Sequence, residues 1–469
     1  MIVHRISGIF RFQILIQCAV VSALYWAWYL VFGKVLSEGL IFSSYLNYWF
    51  VSQAAIVLEA FSRNPEDRTP SRPKGARRKT GALRQTLYLT GGISIFLVMA
   101  KDDAISRTFL FVFISASFVV LNYSQMVLSS VLPGIVYRNR SRTRTLLVGS
   151  SDGVDSFQEW IGEKKVFGIE IVGVLSRDPG EDFDENIQPH YMGDPSLLED
   201  VLRSNRADQV ILLESSEDMA SVREMIRLCE QHGIRFAMLN DLSKKMGRRV
   251  NHPNQEAFNL MFLYEEPLED PFNQMIKRTF DLVVASIAVV TVLPFACLFV
   301  WLLHRFQSRG PLFYKQLRTG MNGKPFEIYK FRSLHAAPHD EGQQVRADDD
   351  RVFSGGRLIR KLSIDELPQF LNVLRGEMSV IGPRPHFLEH DEYFAKLLEN
   401  YKTRSLVKPG ITGLAQIRGF RGNTENDVGS IQRRILSDIA YLEGWSLKLD
   451  FVILFKTIVQ MFVPPKTAY

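Results

Sequence analysis

Four apolar runs crowd the front of this chain, and no other feature restricts its fold as severely. They cover residues 12–32, 40–61, 82–100 and 108–132. Each approaches or exceeds the ~17–25 residues that a helix needs to cross a bilayer. The third is the weakest, with Arg84 and Gln85 at its start, where an arginine can snorkel to the interface. The first continues past any small-residue cleavage site, so it reads as an anchor rather than a removed signal peptide. The loop 62–81 holds Arg63, Arg68, Arg72, Lys74, Arg77, Arg78 and Lys79 against Glu66 and Asp67. Arg138, Arg140, Arg142 and Arg144 follow the fourth run, while the other two loops carry few cations. Loops rich in Lys and Arg stay in the cytoplasm. A four-helix transmembrane bundle over residues 1–137 is therefore expected, with both its ends cytoplasmic.

Residues 138–265 change character. Apolar strands at 146–148, 169–175, 209–213 and 234–238 alternate with helical stretches such as 221–232, which argues for a small Rossmann-like α/β domain with a parallel sheet. Gly149-Ser150-Ser151-Asp152-Gly153 follows the first strand, where a dinucleotide fold carries its phosphate loop, but the G-x-G-x-x-G spacing is absent. A structural or regulatory domain is the stronger expectation. The three cysteines, Cys18, Cys229 and Cys297, form neither a disulfide framework nor a C-x-x-C site, which suits a reducing compartment. The formal charge of +6 lies in blocks beside apolar runs, and no aromatic-basic stripe suggests nucleic acid.

A fifth apolar run, 280–303, is broken by Pro294 and flanked by cations at both ends: Lys277 and Arg278 before it, His304, Arg305 and Arg309 after it. Straight, it would cross the membrane. Bent at Pro294, its arms are each too short to span, and both ends stay cytoplasmic. The expectation is a re-entrant helix over 272–306. A final apolar run, 447–463, contains Lys448, Asp450, Lys456 and Gln460 and reads as an interfacial or core helix.

Between these runs lies the chemistry. Arg360-Lys361-Leu362-Ser363-Ile364-Asp365-Glu366-Leu367-Pro368-Gln369 reads as a helix entrance, because Pro368 is tolerated only near a helix start. Two carboxylates at a helix N-terminus should stay ionised. Arg360 lies upstream, and Arg384 stands between Pro383 and Pro385 in a stiff turn. A carboxylate beside arginines suits attack on a phosphate, since the cations offset charge on its oxygens. The competing reading is a capping box made by Ser363 and Glu366. Lys330 and Arg332, two apart on a strand-like segment, should share one face.

Residues 272–469 resemble the bacterial sugar transferase family, the polyprenyl-phosphate hexose-1-phosphate transferases or monotopic phosphoglycosyl transferases. The resemblance rests on Gln316-Leu317-Arg318 with Gly320, Gly323, Lys324 and Phe326, and on Lys330-Phe331-Arg332-Ser333. It rests also on Arg360 through Gln369, on Ile381-Gly382-Pro383-Arg384-Pro385, on Lys408-Pro409-Gly410-Ile411-Thr412-Gly413, and on Trp445 through Asp450. The front half resembles the long form of that family. The resemblance implies an enzyme of the bacterial inner membrane with a mainly helical catalytic domain on the cytoplasmic face. It would move a hexose-1-phosphate from a UDP-sugar to undecaprenyl phosphate, release UMP and initiate exopolysaccharide, capsule or O-antigen synthesis. It further implies Asp365 as nucleophile and magnesium ligand, and Glu366 as its catalytic partner. Arg360, Arg384, Pro383, Pro385, Lys330, Arg332 and Arg318 would bind substrate, with Mg2+ as cofactor. UDP-sugar, undecaprenyl phosphate and membrane lipid are the expected partners, and a homodimer is left open. The segment from Gly413 to Gly422 is similar to that of the glucose-specific members. Leu414 and Arg418 depart from the residues usual there, so galactose stays open, as does an inactive scaffold or regulator of polysaccharide assembly.

Overall fold

The computed structural model describes residues 2–36, 41–63, 75–103, 105–137, 142–150, 154, 157, 168–177, 191–204, 206–213, 218–240, 259–335, 349–420 and 428–462. The apolar runs become helices α1 (Ile2–Leu36), α2 (Phe42–Ser62), α3 (Gly75–Ala100) and α4 (Arg107–Val136). Tyr25, Tyr45, Tyr48, Phe109 and Phe113 fill the bundle centre, while Ile95, Val98, Phe111 and Val119 face outward. An apolar exterior of this kind marks a surface that meets lipid or another apolar partner. Polar side chains inside are mutually satisfied: Gln125 donates to Gln85 and Gln85 to Gln17, each at 2.9 Å. Ser7–Lys34, Gly81–Ala100, Arg107–Val136 and, later, Pro271–Gln307 are long and apolar enough to cross a membrane. α2 is not among them. Its Asn47, Gln53 and Glu59 dilute its apolarity, and Glu59 is fully buried against Arg63 and Arg84, each at 2.9 Å.

Next comes a six-stranded sheet of β1 (Thr143–Val148), β2 (Ile169–Leu175), β3 (Tyr191–Gly193), β4 (Gln209–Leu212), β5 (Arg235–Asn240) and β6 (Asn259–Phe262). Its order is β3-β2-β1-β4-β5-β6, parallel except for β6. That is the order of a doubly wound dinucleotide-type fold. The Gly149–Gly153 loop lies largely outside the described residues. Helix α5 (Met219–His232) covers one face and ends at Gly233, whose φ of 66° makes a left-handed cap.

The remainder begins with α6 (Pro271–Ile287), capped by Asp270, whose side chain accepts from Phe272 N at 2.8 Å. A π-helical segment, Ala288–Val292, separates it from α7 (Leu293–Gln307), in which Pro294 is near the start. The proline's missing amide and ring clash explain why the regular ladder fails there. Both arms attach to the same body. On α6, buried Lys277 pairs with Asp450 at 2.8 Å, and Asp281 accepts from Ser379 Oγ at 2.9 Å. On α7, His304 Nε2 meets Arg332 O at 2.8 Å, and Gln307 accepts from Gly355 N at 2.6 Å. Between these anchors the outer side is apolar, with Leu282, Ile287, Val290, Phe295 and Leu298 exposed. A hairpin, β7 (Phe313–Thr319) with β8 (Pro325–Phe331), helices α8 (Ser354–Lys361) and α9 (Gln369–Arg375), and a short parallel pair, β9 (Ser379–Ile381) with β10 (Gly410–Thr412), build the rest. Helices α10 (Val428–Glu443) and α11 (Leu447–Phe462) close it. On α11, Asp450 and Ile453 are buried while Phe451, Phe455 and Ile458 are exposed, as expected of an interfacial helix.

Candidate active site

The carboxylate pair sits on a single 3-10 turn rather than at the mouth of a long helix. α8 ends, Ser363 turns the chain with φ 54°, and Ile364–Glu366 forms the turn. Helix α9 starts only after Pro368, because an α-helix cannot run through a residue that lacks an amide hydrogen and clashes with the preceding turn. The helix entrance expected at residues 363–365 is thus displaced. Ser363 makes no capping bond with its side chain, which disposes of the capping box. A non-glycine residue with positive φ stores strain of about 1–3 kcal/mol, here two residues from Asp365.

The two neighbours have opposite surroundings. Glu366 is clamped by Arg384, whose Nη2 donates to Oε1 at 2.6 Å and Nη1 to Oε2 at 3.3 Å. Lys330 Nζ lies 3.5 Å from the same Oε1. Asp365 accepts no hydrogen bond from any described residue. Burial first, and then the charge of Glu366, push its carboxyl up to about 6, against the pull of Lys330, Arg360 and Arg384. This corrects the expectation of a helix N-terminus holding the carboxylate ionised. One 3-10 turn offers little dipole, and desolvation prevails. Burial likewise pushes the Lys330 ammonium down, while Glu366 draws the Arg384 guanidinium up.

Two strands and two motifs position these groups. Lys330 comes from β8, which Asn372 of α9 grips by accepting from Tyr329 N at 3.0 Å and donating to Glu327 O at 2.7 Å. Arg384 stands on the turn after β9, between buried Pro383 and Pro385. Gly410 N donates to Pro383 O at 2.9 Å, and a Cβ on Gly410 would lie 2.0 Å from Gly382 N. Gly-Pro-Arg-Pro and Lys-Pro-Gly-Ile-Thr-Gly are therefore two sides of one interlocked backbone. Arg360, exposed at the end of α8, acts on Asp365 through space. Arg318 reaches the region from β7, with its guanidinium 3.4 Å above the Phe387 ring and donating to Gln316 Oε1 at 2.7 Å.

Arg332 does not join the cluster. It lies just beyond β8, where its buried guanidinium donates to Pro311 O at 2.9 Å, Leu334 O at 2.7 Å and Ser308 Oγ at 2.8 Å. The strand ends at Phe331, so the alternation that should have put Arg332 beside Lys330 stops one residue short. Residue order alone did not single out Arg404, His386 and Asp438. Arg404 donates to Arg384 O, pairs with Asp438 at 2.9 Å and contacts His386. A signal was available on α10, where Arg434 and Asp438 interrupt the apolar stripe of Ile431, Ile435 and Ile439. Beside the same turn lies a cavity of about 320 Å³ bounded by Thr319, Arg384, His386 and Arg404, and by Arg203 and His232 of the α/β domain. The carboxylates do not line it.

No group of three His, Cys, Asp or Glu side chains capable of holding a metal occurs among the described residues. An uncommitted Asp365 does fit magnesium, which is usually held by one or two carboxylates and completed by substrate phosphates.

A membrane-attached domain whose paired carboxylates face arginines and a lysine defines an enzyme that handles anionic phosphate groups at a lipid surface. Residues 272–464 match the bacterial sugar transferase family, and residues 69–239 match a CoA-binding domain. The chain is 32% identical to a UDP-glucose:undecaprenyl-phosphate glucose-1-phosphate transferase of Klebsiella pneumoniae, over 80% of this chain and 79% of that one. It is 40% identical to a protein of the same name from Caulobacter vibrioides, over 46% of this chain and 82% of that one. It is also 40% identical to a UDP-N-acetylgalactosamine-undecaprenyl-phosphate N-acetylgalactosaminephosphotransferase of Aeromonas hydrophila, over 54% and 58% of the two chains. The chain belongs to the bacterial sugar transferase family, and it is a phosphoglycosyl transferase.

Proposed function

We propose that this enzyme transfers a hexose-1-phosphate, glucose-1-phosphate in the first instance, from a UDP-sugar to undecaprenyl phosphate and releases UMP. The observation that carries the reading is the asymmetry of the dyad. Glu366 is locked to Arg384, while the adjacent Asp365 accepts no hydrogen bond from any described residue, as a nucleophile should. An Asp365 oxygen attacks the sugar-bearing phosphorus, the bond from that phosphorus to the UMP oxygen breaks, and UMP leaves. An oxygen of undecaprenyl phosphate then attacks the same phosphorus and frees Asp365. Arg384, Lys330 and Arg360 offset the charge on the phosphoryl oxygens, and Glu366 holds Arg384 and Lys330 in place for it. Magnesium held by Asp365 and the donor phosphates would add positive charge against those oxygens. The named glucose-1-phosphate transferases among the relatives favour glucose over galactose.

The topology follows from the same chemistry. UDP-sugars are supplied in the cytoplasm, so the catalytic part belongs on the cytoplasmic face of the inner membrane, with Pro271–Gln307 entering and leaving by one leaflet. That both arms of this helix attach to the same body supports the re-entrant path. The test is to supply purified protein in nanodiscs with undecaprenyl phosphate and, separately, UDP-glucose, UDP-galactose and UDP-N-acetylgalactosamine. UMP release with UDP-glucose, absent in Asp365→Asn, is expected. Turnover by the Asp365→Asn protein would remove Asp365 from the nucleophile's role.

A further inference from the structure

Beside Arg384 the structure gathers more positive charge than it neutralises. Arg434 on α10 is 7% exposed, its Nε is buried without a hydrogen-bond partner, and no described residue pairs with it. Its acidic neighbour one turn on, Asp438, is taken by Arg404 at 2.9 Å. Arg318 has one donated bond, to Gln316, and its Nε is also buried without a partner, as is the adjacent Thr319 Oγ1. Burial, and then the neighbouring guanidiniums, push Arg434 down to about 10 and Arg318 down to about 9. His386 lies among the same arginines and is held well below its usual value, so it stays neutral. Of the four arginines here, Arg384 is balanced by Glu366 and Arg404 by Asp438. Arg318 and Arg434 pair directly with no carboxylate among the described residues, and Glu366 and Asp438 draw on them only from beyond ion-pair distance.

A buried cation without a counter-ion is destabilising unless something anionic occupies the site in use. We propose that Arg434, with Arg318, seats the nucleoside-bearing phosphate of the sugar donor, the part that departs as UMP. This rests on the nucleotide-sugar reading above. The placement is consistent with the charges around the dyad. Asp365 feels Lys330, Arg360 and Arg384, which serve the phosphate under attack, whereas Arg434 feels Arg404, Asp438 and Arg384. Arg384 joins the two groups. In this proposal the two phosphates of one diphosphate bridge the dyad and the second arginine pair.

The experiment uses the full chain in nanodiscs, with UMP as probe, and compares the wild type with Arg434→Gln, Arg434→Lys and Arg318→Gln. Without ligand, Arg434→Gln should melt no lower than wild type, because it removes an uncompensated buried charge. It should lose the rise in Tm that UMP gives the wild type, and its KM for UDP-glucose should climb about tenfold or more, the scale of one lost charge-assisted hydrogen bond. KM for undecaprenyl phosphate should stay put, Arg434→Lys should recover part of the loss, and Arg318→Gln should follow Arg434→Gln. A lower Tm together with wild-type UMP binding would make Arg434 merely structural and overturn the proposal. A rise confined to the KM for undecaprenyl phosphate would assign the seat to the lipid phosphate and overturn it equally. A wild type that neither gains stability from UMP nor turns over any UDP-sugar would overturn the nucleotide-sugar reading and this proposal together.

Discussion

At the scale of single residues, Asp365 combines a functional demand with a cost to the fold. A carboxyl raised to about 6 loses its reactive form as pH falls through that value, so the first half-reaction should slow about tenfold per pH unit below 6. The same shift has a stability sign. The folded state binds this proton more tightly than the unfolded chain, so the contribution is fully present below the unfolded value near 3.8 and is lost as pH rises through 6. At neutral pH the ionised carboxylate costs at most about 3 kcal/mol. Asp365→Asn should therefore abolish transfer and yet raise Tm by several degrees at pH 7.5, with the gain shrinking toward pH 4. Scanning calorimetry at the two pH values checks the sign, and an Asn variant that melts below wild type at pH 7.5 would contradict it. Arg332 should behave in the opposite way. Its guanidinium ties residues 308, 311 and 334 together, so Arg332→Ala should cost about 2–4 kcal/mol of stability while leaving the KM of any folded fraction near wild type.

At the scale of elements, what could be read from sequence divides along physical lines. Long periodic runs announced themselves: α1–α4, the apolar helical stretch at residues 271–307, and β1, β2, β4 and β5 lie close to the stretches marked by hydrophobicity. β3 and β6 went unseen because strands of three and four residues at or near a sheet edge carry almost no period. The dyad was legible as chemistry, since Asp365, Glu366, Arg384 and Lys330 do converge. Its local conformation was not legible, because Pro368 fixes only where a helix may begin, and the chain resolved that restriction with a 3-10 turn. The Arg404–Asp438 support was hidden by sequence distance, as its partners come from separate elements. The π-helical segment bears on the largest topological claim. If α6 and α7 formed one straight helix, its 37 residues would extend about 55 Å. Asp281 and His304, both bonded to the catalytic part, stand 23 residues apart, about 35 Å along a straight helix, a span that the proposed bend would shorten. Cysteines placed beside Lys277 and beside Arg309 should both be labelled from the cytoplasmic side by a membrane-impermeant maleimide. Labelling of the Arg309 side from the periplasm would mean a true fifth span and would strand the dyad on the wrong face.

At the scale of the whole molecule, three parts meet at residues 266–271. Arg5 at the start of α1 pairs with Glu269 at 2.9 Å, and Arg235 of β5 reaches Glu266 and Glu269, each at 2.7 Å. Burial alone would raise the Glu269 carboxyl, but Arg235 and Arg5 together hold it below its usual value. The α/β domain touches the catalytic part a second time, where a Cβ on Gly233 would sit 3.0 Å from Lys402 O. That contact lies two residues from Arg404, which supports Arg384. Yet the charged side chains placed around the dyad, Arg318, Lys330, Arg360 and Arg384, all come from position 318 onward, so the chemistry should survive removal of what precedes the junction. The place of the cut matters. A chain starting at Pro267 keeps Asp270, whose carboxylate caps α6, and leaves Glu266 behind. Glu269 then loses Arg5 and Arg235 but gains water, so no buried charge is stranded. One starting at Phe272 loses the cap as well, at a cost of about 1 kcal/mol. The Pro267 chain in nanodiscs should retain transfer at a rate within about tenfold of the full protein, with a lower Tm. The Phe272 chain should melt lower still, by a few degrees. A folded Pro267 chain that binds UMP but transfers nothing would show that the α/β domain, through Lys402 and Arg404, holds Arg384 in its working position.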